Sequence, residues 1–409
     1  MKNIARTIYA SLLNTLTAEG KMVLVSGPRQ SGKTTFSRQT AENFKNSVYF
    51  NWDTFSDRKL FAADPLFFTK LNRANESKPL IILDEIHKYR KWKNYLKGIY
   101  DEYGKDYQFM VTGSGRMDIG SKGGEALTGR YFHMNVFPLT IAELAGHNRK
   151  FEQFSVSPIK HFDSANGHNT HKIWSNLMKY SGFPEPFLKA DDAFYRRWSN
   201  DYARNIIRED IRTTFELKNV DSLELLFSLM PSKVGSPFSI SSTAENLQVS
   251  YDTVKNWTRL LDAFYVTFTI PTWTKKVARS IMKEKKTYLF NYAEIDDMGA
   301  RFENAVALEL WRAVNSWTQA GLGRFGLSFL KTKDGAEVDF LITQADKPFL
   351  LVETKLSDDN ISKAMMMFQN RLMVPAVQLV NHDNVFRQFK NGQHEVLIIS
   401  AHRWLSTLP

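Results

Sequence analysis

The chain has 409 residues, more than a single core usually organises, and 43% of them are apolar, ample for two or three domains. Its formal charge of +11 favours a polyanionic partner such as nucleic acid. The absence of cysteine excludes disulfides, thiolate metal sites and thiol catalysis, and no apolar run is long enough to cross a bilayer.

The N-terminus, Met1-Lys2-Asn3-Ile4-Ala5-Arg6, lacks the apolar core of a signal peptide, and Ile8 to Leu16 reads as an amphipathic helix. A cytoplasmic location is the expectation. Met22-Val23-Leu24-Val25 then reads as a buried strand. Gly27-Pro28-Arg29-Gln30-Ser31-Gly32-Lys33-Thr34 follows it, and Thr35 to Phe44 reads as a helix. The pattern G-x-x-x-x-G-K-[ST] between strand and helix is a phosphate-binding loop. Its glycines let the backbone curl so that N–H groups and the helix N-terminus face a polyphosphate. ATP is therefore expected at Gly27 to Thr34 and Thr35. Lys33 would reach the β- and γ-phosphates, and the Thr34 hydroxyl would ligate Mg²⁺.

Pro79-Leu80-Ile81-Ile82-Leu83-Asp84-Glu85 is a continuous apolar run ending in two acids, the mark of a central parallel strand. Asp84 would hold Mg²⁺ through water, and Glu85 would orient the attacking water. A kinase has no use for such a glutamate, so Glu85 argues for an ATPase. His87 to Lys97 is a basic patch directly after it, read either as a partner surface or as the solvated face of a helix. A third strand, Tyr107 to Gly115, is expected between the other two, with Ser114, or else Thr112, as a sensor of the γ-phosphate. Arg130 is either an arginine finger acting in trans or a surface arginine in a salt bridge.

In this order the stretches resemble the bacterial and archaeal AAA-type ATPases that carry a C-terminal domain of unknown function. The matching residues are the Gly27 loop, Leu83-Asp84-Glu85-Ile86-His87, Val111-Thr112-Gly113-Ser114 and Leu127-Thr128-Gly129-Arg130. Phe137-Pro138-Leu139-Thr140 with Glu143-Leu144, then Ser181-Gly182-Phe183-Pro184 and a helix Trp198 to Asp210, extend the likeness over nearly the whole chain. The resemblance implies ATP binding, a homo-oligomer such as a ring in which Arg130 serves its neighbour, and DNA as a target.

Beyond residues 1–147, the ATPase core, Asn148 to Lys172 is polar and reads as a linker or insertion. Its His161, His168 and His171 read as a solvated loop rather than a metal site. Residues 173–230 read as a helical lid. Residues 231–297 read as a winged helix: a short helix 241–247, a turn with Ser250 as N-cap, and a helix packing Val254, Trp257, Leu261 and Phe264 on one face. Lys255 and Arg259 share another face and are expected on DNA phosphates. Trp273 to Phe290 carries six Lys/Arg (Lys275, Lys276, Arg279, Lys283, Lys285, Lys286) against the single acid Glu284. Such a ribbon would follow a DNA backbone; the alternative is a solvated charged hairpin.

In residues 298–409, Glu303 sits in a helix, Asp339 in a strand, and Glu353-Thr354-Lys355 at the end of the next strand. Period-two alternation puts Glu353 and Lys355 on one face, and a hairpin would bring Asp339 beside them. Two carboxylates can hold Mg²⁺ while a lysine orients water, as phosphodiester hydrolysis requires. The set Glu303, Asp339, Glu353 and Lys355 resembles that of the restriction-endonuclease-like nucleases, which implies an α/β nuclease-like domain, with branched DNA as its substrate. An ion-pair cluster, a DNA-binding relic or a metal site too weak to cut are the alternatives. The chain as a whole is thus expected to be α/β, an ATP-dependent DNA-acting protein. The runner-up is a nucleotide-dependent switch or scaffold for a protein partner, with a C-terminal domain that does not cut.

Overall fold

The computed structural model describes residues 4–113, 115, 127–146, 149–160, 167–215, 219–274, 285–357, 360–392 and 394–409, with backbone only at 168, 213 and 214. They fall into two compact units: Ala5–Pro138 with Ala263–Tyr265, and Leu139–Asp262 with Val266–Pro409.

In the first unit, α1 (Thr7–Ala18), β1 (Met22–Ser26), α2 (Lys33–Asn43), β2 (Ser47–Asn51), α3 (Phe55–Ala63), β3 (Leu80–Asp84), α4 (Trp92–Tyr103), β4 (Gln108–Thr112) and β5 (Tyr131–Asn135) alternate along the chain. The strands form one parallel sheet in the order β2-β3-β4-β1-β5, so β4 lies between β3 and β1 as expected. Strands β1, β3 and β4 are buried along their whole length, which is why they read as unbroken apolar runs. Phe50, Phe61, Phe67, Phe68 and Phe109 join Leu96 and Ile99 of α4 in the core beside them.

The second unit opens with helices: α5 (Ile141–Ala145), α6 (Phe151–Val156), α7 (Gly167–Tyr180), α8 (Pro184–Lys189) and α9 (Asp192–Asn205). A π-helical turn, Ile206–Ile211, joins α9 to α10 (Arg212–Phe215), and α11 (Val220–Leu229) follows. The Thr140 motif has a local cause. Thr140 and Glu143 form a capping box that starts α5. His171 lies in the helix α7 rather than in a loop, with its side chain exposed and Nε2 3.2 Å from the Asp383 carboxylate.

Next come α12 (Ile240–Leu247) and α13 (Tyr251–Ala263), separated by a turn in which Ser250 Oγ accepts the Thr253 N–H. Val254, Trp257 and Leu261 are buried as expected. Phe264 departs from that reading: α13 ends at Ala263, and Phe264 belongs with the first unit. Strands β6 (Thr267–Pro271) and β7 (Lys285–Leu289) pair antiparallel.

The chain closes with α14 (Met298–Gln319), β8 (Phe325–Lys331), β9 (Glu337–Gln344), β10 (Lys347–Lys355), α15 (Lys363–Leu372), β11 (Ala376–Val380), β12 (Phe386–Asn391), β13 (His394–Ser400) and α16 (Ala401–Leu405). The last six strands make a mixed sheet in the order β12-β13-β11-β10-β9-β8. Strands β8 to β10 form an antiparallel meander, and β11 joins β10 in parallel after the crossover through α15. Among the described residues no helix is long and apolar enough to cross a membrane.

Candidate functional site

The phosphate-binding loop leaves the C-terminal end of β1 and runs directly into α2. Gly27 has a φ of +152°, and a Cβ there would lie 2.2 Å from the Val136 carbonyl oxygen, so only glycine allows this approach. Gly32, at φ +95°, is the N-cap of α2 and offers no side chain to its first N–H groups. The loop is braced from elsewhere in the unit. Ser31 Oγ donates to the Val136 carbonyl at 2.9 Å. Arg6, buried, donates to the Ser31 carbonyl at 2.8 Å and to the Phe137 carbonyl at 2.6 Å. Lys33 Nζ lies at the mouth of the loop, donating to the carbonyls of Gly27 and Pro28 at 2.9 and 2.7 Å.

Asp84 is fully buried at the end of β3. Tyr49 donates to its Oδ2 at 2.5 Å, and Thr112 Oγ1 donates to its Oδ1. Burial, reinforced by Asp84, pushes the Tyr49 phenol above its ordinary range, so it remains a donor. Glu85 takes a left-handed backbone (φ +56°) that non-glycine residues seldom adopt. Its N–H donates to the Thr112 carbonyl at 3.1 Å and reaches Thr112 Oγ1 at 3.3 Å. Thr112 thus holds both acids in place. Ser114 lies outside the described residues.

Lys88 Nζ pairs with Asp53 at 2.6 Å and with Glu85 at 3.4 Å, and His87 Nδ1 stands 3.8 Å from the Glu85 carboxylate. Burial holds the His87 pKa below the usual imidazole range, leaving the ring neutral. Two further braces carried no sequence signal, because their partners are far away in the chain. Tyr265, at φ +55°, meets Ser26 Oγ at 2.9 Å and accepts from Asn135 Nδ2 at 2.8 Å. Arg6 is the other.

Arg130 is paired within its own chain. Its guanidinium makes a bidentate contact with Asp101 of α4, at 2.7 and 3.0 Å. Its carbonyl accepts from Met22 N at the start of β1, while the loop leaves the other end. Five strand residues put about 16 Å between them. Within its own chain Arg130 therefore pairs with Asp101 and stands at the opposite end of β1 from the loop.

With this geometry in view, family models match three segments. Residues 19–145 match the AAA domain, residues 171–293 a domain of unknown function (DUF8612), and residues 298–401 another (DUF4143). The chain carries an AAA domain. An uncharacterized protein of Methanocaldococcus jannaschii is 22% identical over 95% of this chain and 88% of its own length. One of Haemophilus influenzae is 22% identical over 79% of this chain and 80% of its own. Among solved structures, katanin matches 51% of this chain and 71% of its own at 15% identity, with a TM-score of 0.27. Hsp104 of S. cerevisiae matches 78% and 44% at 12% identity, with a TM-score of 0.29.

The expected DNA contacts divide. Lys255 and Arg259 are exposed on α13, whereas Lys275, Lys276, Arg279 and Lys283 lie outside the described residues. Lys286 corrects the ribbon reading. Alternation along β7 turns Lys285 outward and buries Lys286 to 1% exposure.

The acidic set of the second unit is tied together by hydrogen bonds and ion pairs. Asp339 Oδ2 accepts from Thr354 N at 2.8 Å and from Thr354 Oγ1 at 2.7 Å, so the β9–β10 hairpin does bring it beside the Glu353 strand end. Glu353 meets Lys355 Nζ at 2.9 Å and accepts from Ser362 at 2.6 Å. Burial raises its pKa, against Ser362 and Lys355. Glu303 accepts from Tyr288 at 2.7 Å and from Lys286 Nζ at 3.1 Å. Burial pushes Glu303 up to about 7, with Asp339 adding and Lys286 opposing. Among the described residues no group of three or more His, Asp or Glu side chains is placed to hold a metal ion. Protein donors engage at least one oxygen of each of Glu303, Asp339 and Glu353.

Proposed function

We propose that this protein is an ATP-dependent DNA-binding protein that couples Mg-ATP hydrolysis to remodelling or processing of DNA. The observation that carries the reading is the Gly27–Thr34 loop, packed so closely on Val136 that a Cβ cannot enter, with Asp84 and Glu85 at the end of β3. Such a cradle of backbone at the head of α2 suits a polyphosphate. The Thr34 hydroxyl and Asp84 carboxylate are hard oxygen donors of the kind that suits Mg²⁺. When bound, the ion neutralises charge on the β- and γ-phosphate oxygens. Lys33 adds its ammonium to those oxygens. Glu85 orients the attacking water and accepts its proton, while Thr112 fixes the backbone that carries Glu85.

The DNA half rests on the exposed Lys255 and Arg259, one turn apart on the second helix of a helix-turn-helix that leads into a β-hairpin. That order supports a winged helix, and the charge of +11 supports a polyanionic partner. A homo-oligomer, in which Arg130 leaves Asp101 to serve a neighbour, completes the reading. The succession α14, β8–β10, α15, β11 supports a restriction-endonuclease-like domain that binds branched DNA. The second reading, a nucleotide-dependent switch for a protein partner with a non-cutting C-terminal domain, is favoured by the carboxylates being engaged by protein donors.

Mg-ATP turnover measured alone, then with single strands, duplex and a four-way junction, tests the choice, with Glu85→Gln as the blank. Stimulation by one DNA form supports the first reading and names the substrate. Turnover indifferent to every DNA form favours the switch.

A further inference from the structure

Strand β7 belongs to the hairpin that carries the basic ribbon, yet it delivers one of its lysines into the acidic cluster. Lys286 Nζ stands 2.5 Å from Glu337 Oε1 and 3.1 Å from Glu303 Oε1, and 5.3 Å from the centre of the Phe329 ring. Burial alone would lower its pKa, but Glu303, Asp339 and Glu337 outweigh that and raise it, so the ammonium keeps its charge. The cluster is closed on another side by the segment before α12. Pro237 bridges to Lys286, Phe238 N donates to the Lys285 carbonyl at 3.1 Å, and a Cβ on Gly235 would lie 2.9 Å from Glu303 Oε2. A hydrated divalent ion, which needs room for its waters, meets backbone on that side and an ammonium in the middle.

We propose that Lys286 is the resident cation of this cluster. Its ammonium stands among Glu303, Glu337 and Asp339 where a nuclease would hold a divalent ion, and it fastens the basic hairpin to the C-terminal sheet. The geometry suits such a role: one strongly hydrated point charge, three donors, and carboxylates on two different elements to receive them. Lys355, paired with Glu353, leaves the other half of the set similarly engaged. The inference stands apart from ATP hydrolysis, since it concerns a site that needs neither nucleotide nor DNA.

Terbium luminescence tests it on the full chain without nucleotide, because Tyr288, hydrogen-bonded to Glu303, is placed to sensitise an ion bound there. Wild-type protein should give the same titration as Glu303→Gln. Lys286→Met should gain a site at least tenfold tighter than any in the wild type, and the double variant Lys286→Met/Glu303→Gln should lose it. A wild-type site that Glu303→Gln removes overturns the proposal, as does a folded Lys286→Met protein that gains none. If Lys286→Met fails to fold, the wild type against Glu303→Gln still decides whether an ion sits at Glu303.

Discussion

Each unit holds a lysine and carboxylates that the sequence assigns to one site, and the units differ in where the lysine goes. In the first, Lys33 leans on backbone carbonyls at the mouth of a loop, and Asp84 and Glu85 are held by Tyr49 and Thr112, neither of which is charged. In the second, Lys286 is buried against the carboxylates themselves. A neutral hydroxyl orients an acid and leaves its charge uncompensated, whereas an ammonium at contact distance compensates it. Both lysines are buried, and what separates the two places is the partner: backbone carbonyls for Lys33, carboxylates for Lys286.

The largest effect should come from Glu85→Gln, which removes the carboxylate proposed to accept the proton of the attacking water. ATP turnover is expected to fall by about 10²–10⁴, with nucleotide affinity, read by fluorescent-nucleotide titration, nearly unchanged. Equal loss of binding and turnover would move Glu85 out of the chemistry. On the other side, Lys286→Met leaves buried carboxylates without their cation and should cost about 3–5 kcal/mol in urea denaturation. A neutral outcome there would make the pair dispensable.

Third in size is pH. Burial raises Glu309, whose Oε1 accepts from Ile141 N, up to about 7. A carboxyl with a raised pKa in the folded state gives stability that is complete below pH 4.5 and lost as pH rises through 7. Between pH 5 and 8 the wild type should lose roughly 2–3 kcal/mol more than Glu309→Gln. Parallel curves for the two proteins would refute this. Glu303 and Glu294, also raised to about 7 by burial, add to the same slope.

Thr112→Val tests the neutral clamp. Turnover should drop about tenfold, an increment of ~1.4 kcal/mol, with the magnesium requirement shifted upward because Asp84 has lost a donor. The smallest effect on stability is expected from Arg130→Ala, whose exposed pair with Asp101 is worth about 0–1 kcal/mol. Its turnover should nevertheless fall about a hundredfold and be restored by mixing with Glu85→Gln subunits, and unchanged turnover would remove Arg130 from the neighbour's site.

Much of the first site was legible because its chemistry is local. The two glycines, Lys33 and Thr34 sit on one loop, and Asp84 and Glu85 close one apolar run, so strand and helix periodicity alone placed them. Thr112 was visible only as a second choice to Ser114, since a strand-end hydroxyl does not announce that it faces the neighbouring strand's acids. The Thr140–Glu143 capping box could have been read from its spacing. Arg6 and Tyr265 could not, because their partners lie 25 or more residues away.

By itself the sequence determined the strands β1, β3 and β4, the phosphate loop between β1 and α2, and the gathering of Asp339, Glu353 and Lys355 at one hairpin, all consequences of short-range backbone geometry and of the two-residue strand period. Tertiary structure decided which charges remain available. Alternation along β7 predicts that Lys285 and Lys286 face opposite ways, but only the packed sheet determines which of them meets the acids. Arg130 likewise became an intrachain partner of Asp101 because α4 passes beside the start of β5. Burial and contact between distant segments set the electrostatics, and those are properties of the folded chain rather than of any window of its sequence.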